Sequence, residues 1–196
     1  MEKKEIRRAV LGRLKELPGD EHRERGLLAA GRLITDRRFA DAGVIGITVS
    51  RYPELNTEPI IRAAWSAGKR VAVPRCSPGD RSMQFRELSS FDDLETVYMD
   101  LREPVESRTR PVGKEELDLI VVPGVVFSEE GFRIGFGGGY YDRFLAGFGG
   151  ETVSIALEEQ MSGGLPVEPH DIPVDAVMTD RRVILCGGGA PDGHRL

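Results

Sequence analysis

Apolar residues recur at helical spacing through the first seventeen positions. Ile6, Val10, Leu14 and Leu17 share one face, and Pro18 with Gly19 stops the run. Asp20 can cap a second helix reaching about Phe39, with Leu27, Ala30, Leu33 and Ile34 turned inward. The period then shifts. Residues 44–49 form a strand, and a polar turn leads to a helix capped by Asn56 or Thr57. That helix has Pro59 in its first turn and Ile60, Ile61, Ala64 and Trp65 on its buried face. Trp65 falls on that apolar stripe and reads as core. Gly68 ends the helix. Residues 71–73, 83–88, 119–122 and 152–157 read as further strands, and 94–111 as an irregular surface connection. Strands alternating with helices predict an α/β fold with a largely parallel sheet covered on both faces. No internal repeat or break is visible, so residues 1–186 read as one domain and 187–196 as a disordered tail.

The densest stretch is 118–148. An apolar, β-branched strand ends at Pro123 and Gly124, and Gly135, Gly137, Gly138 and Gly139 follow. Tyr141, Phe144, Leu145 and Phe148 then fall at i, i+3, i+4 and i+7, a helical pattern. Glycines leading into a helix present backbone N–H groups to an anion, and Asp142 in the first turn could hold Mg²⁺ beside a phosphate. A tight connection, with Asp142 as a partner of the helix dipole, explains the same residues. The spacing matches neither the Walker loop nor the usual dinucleotide fingerprint.

Composition narrows the picture modestly. The 196 residues carry a net charge of −5 and no apolar run of membrane-spanning length. Nucleic acid and membrane are not expected partners. The N-terminus MEKKEIRR has no signal core after it, and a cytoplasmic location is expected. Cys76 and Cys186 lack metal spacing and read as buried or incidental thiols. His22, His170 and His194 are scattered.

The segments VPGVVF and GFRIGFGGGYYDRFL resemble the signature of the 5-formyltetrahydrofolate cyclo-ligase family, which has a VPG-x-x-F strand end and an R-[LI]-G-x-G-[GK]-G-Y-Y-D loop. The resemblance covers nearly the whole chain, from Lys3 to Asp180. It extends to a K-x-x-[LI]-R start, an E-[VI]-x-T turn, Arg102-Glu103-Pro104, and a P-x-x-x-H-D-x-P-[VM]-D block. It implies a Rossmann-like three-layer sandwich, resembling the sugar-phosphate isomerase and CoA-transferase-like fold. The implied activity is ATP- and Mg²⁺-dependent closure of 5-formyltetrahydrofolate to the 5,10-methenyl form. Small molecules are then the partners, and the protein would be a monomer or small homo-oligomer.

The resemblance also implies site residues. ATP would meet Lys3, Lys4, Arg7, Arg133, Ile134, Gly135, Phe136, Gly137, Gly138, Gly139, Tyr140 and Tyr141, with Arg13 a weaker candidate. Folate would meet Arg51, Glu54, Asn56, Phe136, Gly137, Gly138, Gly139 and Tyr140. Arg133 would be catalytic, Asp142 would take the metal, and His170 and Asp175 could border the site or, equally, be turn-forming polar residues between prolines. Helix capping explains Asn56 and Thr57 equally well, and a solvated basic face explains Lys3 and Arg7. Where relatives can carry lysine this chain has Gly138, so that charge is supplied elsewhere or dispensable. Other enzymes on the same scaffold, or a non-catalytic folate or nucleotide binder, are the alternative readings.

Overall fold

The structure is a computed structural model, and it describes residues 2–187. The chain runs α1 (Lys3–Glu16), α2 (Gly19–Ile34), α3 (Arg37–Asp41), β1 (Val44–Ile47), α4 (Glu58–Ser66), β2 (Arg70–Ser77), β3 (Ser82–Glu87), β4 (Leu94–Thr96), β5 (Arg102–Pro104) and β6 (Pro111–Val112). It continues through β7 (Leu119–Val121), β8 (Val126–Phe127), β9 (Arg133–Ile134), α5 (Tyr140–Leu145), β10 (Glu151–Ala156), β11 (Ala176–Thr179) and β12 (Val183–Leu185).

Eight strands form one sheet in the order β12-β11-β10-β7-β1-β2-β3-β6. The strands from β11 to β2 are parallel, while β12, β3 and β6 join antiparallel at the edges. Alternation along each strand sorts side chains to two faces. Ile45, Ile47, Val71, Val73, Leu119 and Val121 meet α2, α3 and α4. Val44, Ala72, Ile120, Val122 and Phe85 meet Leu145, Tyr141 and Phe144 of α5. Gly46 of β1 leaves room for the Phe85 ring, whose nearest carbon lies 2.9 Å from where a Cβ would stand. A third cluster joins Val10 and Leu14 of α1 to Leu55, Val125, Val126, Ile134 and Leu157. It seats α1 on the β8–β9 hairpin and the following loops.

Several expectations change in detail. The second helix ends at Ile34, not Phe39. Thr35 Oγ1 donates to the Gly31 carbonyl at 2.9 Å, and Asp36 accepts from Arg38 N at 2.9 Å to start α3. Leu27 is 48% exposed. Ala30 and Leu33 are buried as expected, joined by His22, Gly26 and Ala29, and the small residues let the helix lie close. Phe148 lies beyond the end of α5 but still packs on the core. Within 94–111 the chain forms the β4–β5 hairpin and β6, so the segment is more regular than its composition suggests. The second strand continues through Pro74 to Ser77. Pro74 lies past the last pairing with β1, Gly46 to Ala72, so its missing N–H costs no ladder bond there. Trp65 is core-packed as expected, with Nε1 donating to Leu88 O at 3.0 Å. The tail expected over 187–196 lies outside the described residues apart from Gly187. No helix among those residues is long and apolar enough to cross a membrane.

An ion network closes the carboxyl end of the sheet. Arg25 of α2 donates to Asp180 at 2.8 Å and also bridges Glu159, and Asp180 Oδ1 accepts from Glu158 N at 2.9 Å. Burial alone would raise the Asp180 carboxyl, but Arg25 and the Glu158 N–H hold it below its usual range. Stability from such a group is present above its unfolded pKa, about 4, and is lost as pH falls through the folded value. Urea melts should therefore show unfolding free energy falling below about pH 4. Asp180→Asn should flatten that fall, and an unchanged acid limb would count against this assignment.

Candidate active site

The chain leaves β1 toward β2 on one side and later returns to β7 on the other. Such a switch point opens a crevice beyond the carboxyl ends of the strands. Residues 48–57 supply one wall. Thr57 Oγ1 donates to Thr48 O at 2.7 Å and accepts from Ser50 N at 3.1 Å, and Ser50 Oγ accepts from Thr57 N at 3.0 Å. These bonds fold the turn back on itself and expose Arg51. Glu54 closes the turn, accepting from Arg51 N at 3.3 Å, and burial pushes its carboxyl pKa up against the pull of Arg51. A cavity of about 30 Å³ lies among Thr48, Ser50, Glu54, Thr57, Gly124 and Gln160, enough room for a water molecule.

Arg51 donates to the carbonyl of Met99, so the β4–β5 hairpin tip lies against this wall. That tip holds Met99 and Asp100 at φ 57° and 58° and exposes Tyr98 and Met99. Asn56 Oδ1 accepts from Glu58 N at 3.0 Å, the capping role its sequence context allowed.

The glycine loop forms the second wall. Gly137 and Gly139 adopt φ +101° and +68°, a backbone region that other residues enter only with strain. They turn the chain from β9 into α5. Phe136 is 54% exposed at the tip. Tyr141 instead points inward, its hydroxyl in a short hydrogen bond with Thr48 Oγ1 and its pKa raised by burial. This contact joins the two walls.

The N-terminal helix reaches the same place. Arg7 Nε donates to Gly135 O at 2.7 Å, and its guanidinium stands 3.6 Å from the Cβ position of Gly137. Lys3, one turn earlier, pairs with Asp171 at 2.6 Å and Glu168 at 2.7 Å. Burial opposes the lysine's charge, but the two carboxylates outweigh it and raise its pKa. Lys4 is exposed and makes no hydrogen bond or ion pair among the described residues, and the same holds for Arg13.

The Arg133 side chain is 5% exposed. Its guanidinium donates to Ile172 O at 2.8 Å and to Asp142 Oδ1 at 3.2 Å. Desolvation lowers its pKa against the raising effect of Asp142. Asp142 Oδ1 also accepts from Ile172 N at 3.1 Å. The dipeptide Asp171–Ile172 therefore touches Lys3, Arg133 and Asp142 together. Asp171 was missed in the sequence although it stands in the His-Asp pair of the matched block. His170 is an exposed neighbour of Asp171 and Glu168.

Asp175 lies elsewhere. It accepts from Thr152 N at 2.8 Å, at the amino end of β10, and lines a separate depression of about 670 Å³ with Asp118, Phe148 and Glu151. That depression opens at the opposite end of the parallel strands, so Asp175 does not border the crevice. Cys76 and Cys186 are free thiols that burial pushes up to about 11.

Fold and site together define an α/β protein with a cation-rimmed glycine loop at the carboxyl end of a mostly parallel sheet, an arrangement suited to anionic ligands. The model of the 5-formyltetrahydrofolate cyclo-ligase family matches residues 1–180. A 5-formyltetrahydrofolate cyclo-ligase of Escherichia coli strain K12 is 33% identical over 175 residues, covering 87% of this chain and 96% of that protein. The mouse cyclo-ligase is 29% identical, covering 90% and 92%. The NMR structure of 5,10-methenyltetrahydrofolate synthetase from Aquifex aeolicus superposes with TM-score 0.84 at 29% identity, covering 100% of this chain and 98% of that one. The synthetase from Mycoplasma pneumoniae, 20% identical with TM-score 0.74 and covering 92% and 99%, shares the fold. The chain belongs to the 5-formyltetrahydrofolate cyclo-ligase family and is an enzyme of the ligase class.

The cations round the loop should differ in what they do for stability. Arg133→Leu strands Asp142 and the Ile172 carbonyl, and should cost about 2–4 kcal/mol in urea unfolding. Lys3→Ala should cost about 1 kcal/mol or less, since its pair is partly solvated. Equal losses would contradict the buried-strut assignment of Arg133.

Proposed function

We propose that the protein closes 5-formyltetrahydrofolate to 5,10-methenyltetrahydrofolate at the expense of ATP, releasing ADP and phosphate. The observation that carries the reading is the docking of Arg7 on the glycine loop in a chain of this family. It gives the loop a guanidinium that no carboxylate neutralises among the described residues.

A formamide carbon is a poor electrophile and its oxygen a poor leaving group. In the proposed path the formyl oxygen attacks the γ-phosphorus and ADP departs, leaving an iminium phosphate. N10 of the same folate then attacks the activated carbon, and phosphate leaves with the former formyl oxygen as N10 gives up its proton to solvent and the ring closes. The protein's task is positioning and charge stabilisation. Backbone N–H groups at Gly135 and Gly137–Gly139 cradle the phosphates, and Arg7 neutralises them. Lys3 would join only by exchanging a carboxylate contact for a phosphate. Arg51, Glu54 and Asn56 are read as the folate wall, with Phe136 and Tyr140 packing against the pterin. A direct contact of Arg133 with the transferred group is what the geometry supports least, because its guanidinium already serves Ile172 and Asp142. We read Arg133 as the strut that fixes Asp142.

Asp142 suits a magnesium ion. Both of its hydrogen bonds fall on Oδ1, which leaves Oδ2 as a hard oxygen donor on an anchored side chain. An ion held by Asp142 would offset the negative charge that develops on the transferred phosphate.

Absorbance in the methenyl-folate band should grow only when folate, ATP and Mg²⁺ are all present, with one phosphate released per product. Growth without nucleotide, or none at all from folded protein, would overturn the reading. Asp142→Asn should lower turnover by about a hundredfold or more while folate binding stays near normal. Turnover within threefold of normal would remove Asp142 from the metal site.

A further inference from the structure

Four cations belong to the glycine loop or to the segments that adjoin it, and they fall into two pairs. Arg133 is neutralised by Asp142 at 3.2 Å, and Lys3 by Asp171 and Glu168 at 2.6 and 2.7 Å. Arg7 and Arg143 form no ion pair among the described residues. Arg7 covers Gly135 and Gly137. Arg143 lies in α5, yet its exposed side chain folds back toward the helix start, the direction helical side chains favour. Its Nη1 donates to Gly138 O at 3.3 Å and stands 3.5 Å from the Cβ position of Gly139. That single long bond uses one of five guanidinium donors, and the others are free to take an anion.

Gly138 sharpens the point. A Cβ there would meet the Tyr140 ring at 2.6 Å, so a longer side chain has no room unless Tyr140 swings away. The space beside Gly138 is thus taken by the Tyr140 ring, and Arg143 reaches the Gly138 carbonyl. We propose that Arg143 is a second phosphate-contacting cation, gripping the polyphosphate tail of the nucleotide together with Arg7. The inference rests on the nucleotide reading above.

The test is calorimetric binding of ATP and of inorganic triphosphate to the intact protein and to Arg143→Gln and Arg143→Lys. Arg143→Gln should weaken both ligands by about tenfold, the usual scale for one charged hydrogen bond. Arg143→Lys should recover part of the loss. The KM for ATP should rise while the KM for 5-formyltetrahydrofolate stays within twofold. The salt dependence of triphosphate binding should also become shallower in Arg143→Gln, which a side chain that merely braced the loop would not cause. Unchanged ATP and triphosphate affinity in that variant would overturn this inference alone, as would weakening of ATP without triphosphate. Wild-type protein that bound neither ligand would overturn the nucleotide reading, and this inference with it.

Discussion

The crevice depends on an apolar seam. Val10 and Leu14, each 2% exposed, press α1 against Val125, Val126, Ile134 and Leu157. Burying an aliphatic side chain is worth about 1.5–3 kcal/mol, whereas a partly solvated ion pair such as Lys3 with Asp171 is worth about 1 kcal/mol or less. Packing therefore sets where the helix lies, and the charges on its other side are carried to the loop as a consequence. Arg7 reaches Gly135 because Val10 and Leu14 are buried.

Electrostatics then divides labour among similar residues. Arg133 and Arg7 are both arginines beside the loop, but one is buried on a carboxylate and the other stands unneutralised. A buried guanidinium needs its partner and contributes rigidity, while a half-buried one with no carboxylate partner retains charge for a ligand. The chemistry assigned to each follows from its surroundings rather than from its distance to the glycines.

Much of this was legible in the sequence for stated physical reasons. The α/β class, the strand before Pro123 and the glycine-to-helix turn follow from periodicity and from residues with strong backbone preferences. The Asp142 neighbourhood was only half legible. The pairing of Asp171 with Lys3 spans 168 residues in sequence, and no local pattern encodes it. For Asp175 the sequence leaves a site border and a turn residue equally open, because prolines and polar residues mark a turn without saying at which end of the sheet it lies. On α2, Ala30 and Leu33 face inward as the periodicity predicts, whereas Leu27 does not, and close packing also selected Gly26 and Ala29. The break at Thr35 rests on a hydroxyl bonding back to a carbonyl, a choice composition leaves open.

Gly46 has a reach beyond its own strand. The Phe85 ring occupies the space it leaves, and that ring meets Phe144 at 4.9 Å and Tyr141 at 6.5 Å between centroids. Tyr141 in turn bonds to Thr48, two residues after Gly46. The aromatic stack thus works as a spacer between sheet and helix, its thickness set by a missing methyl group deep in the core. A residue with no line of sight to any ligand fixes the height at which the loop is offered to one.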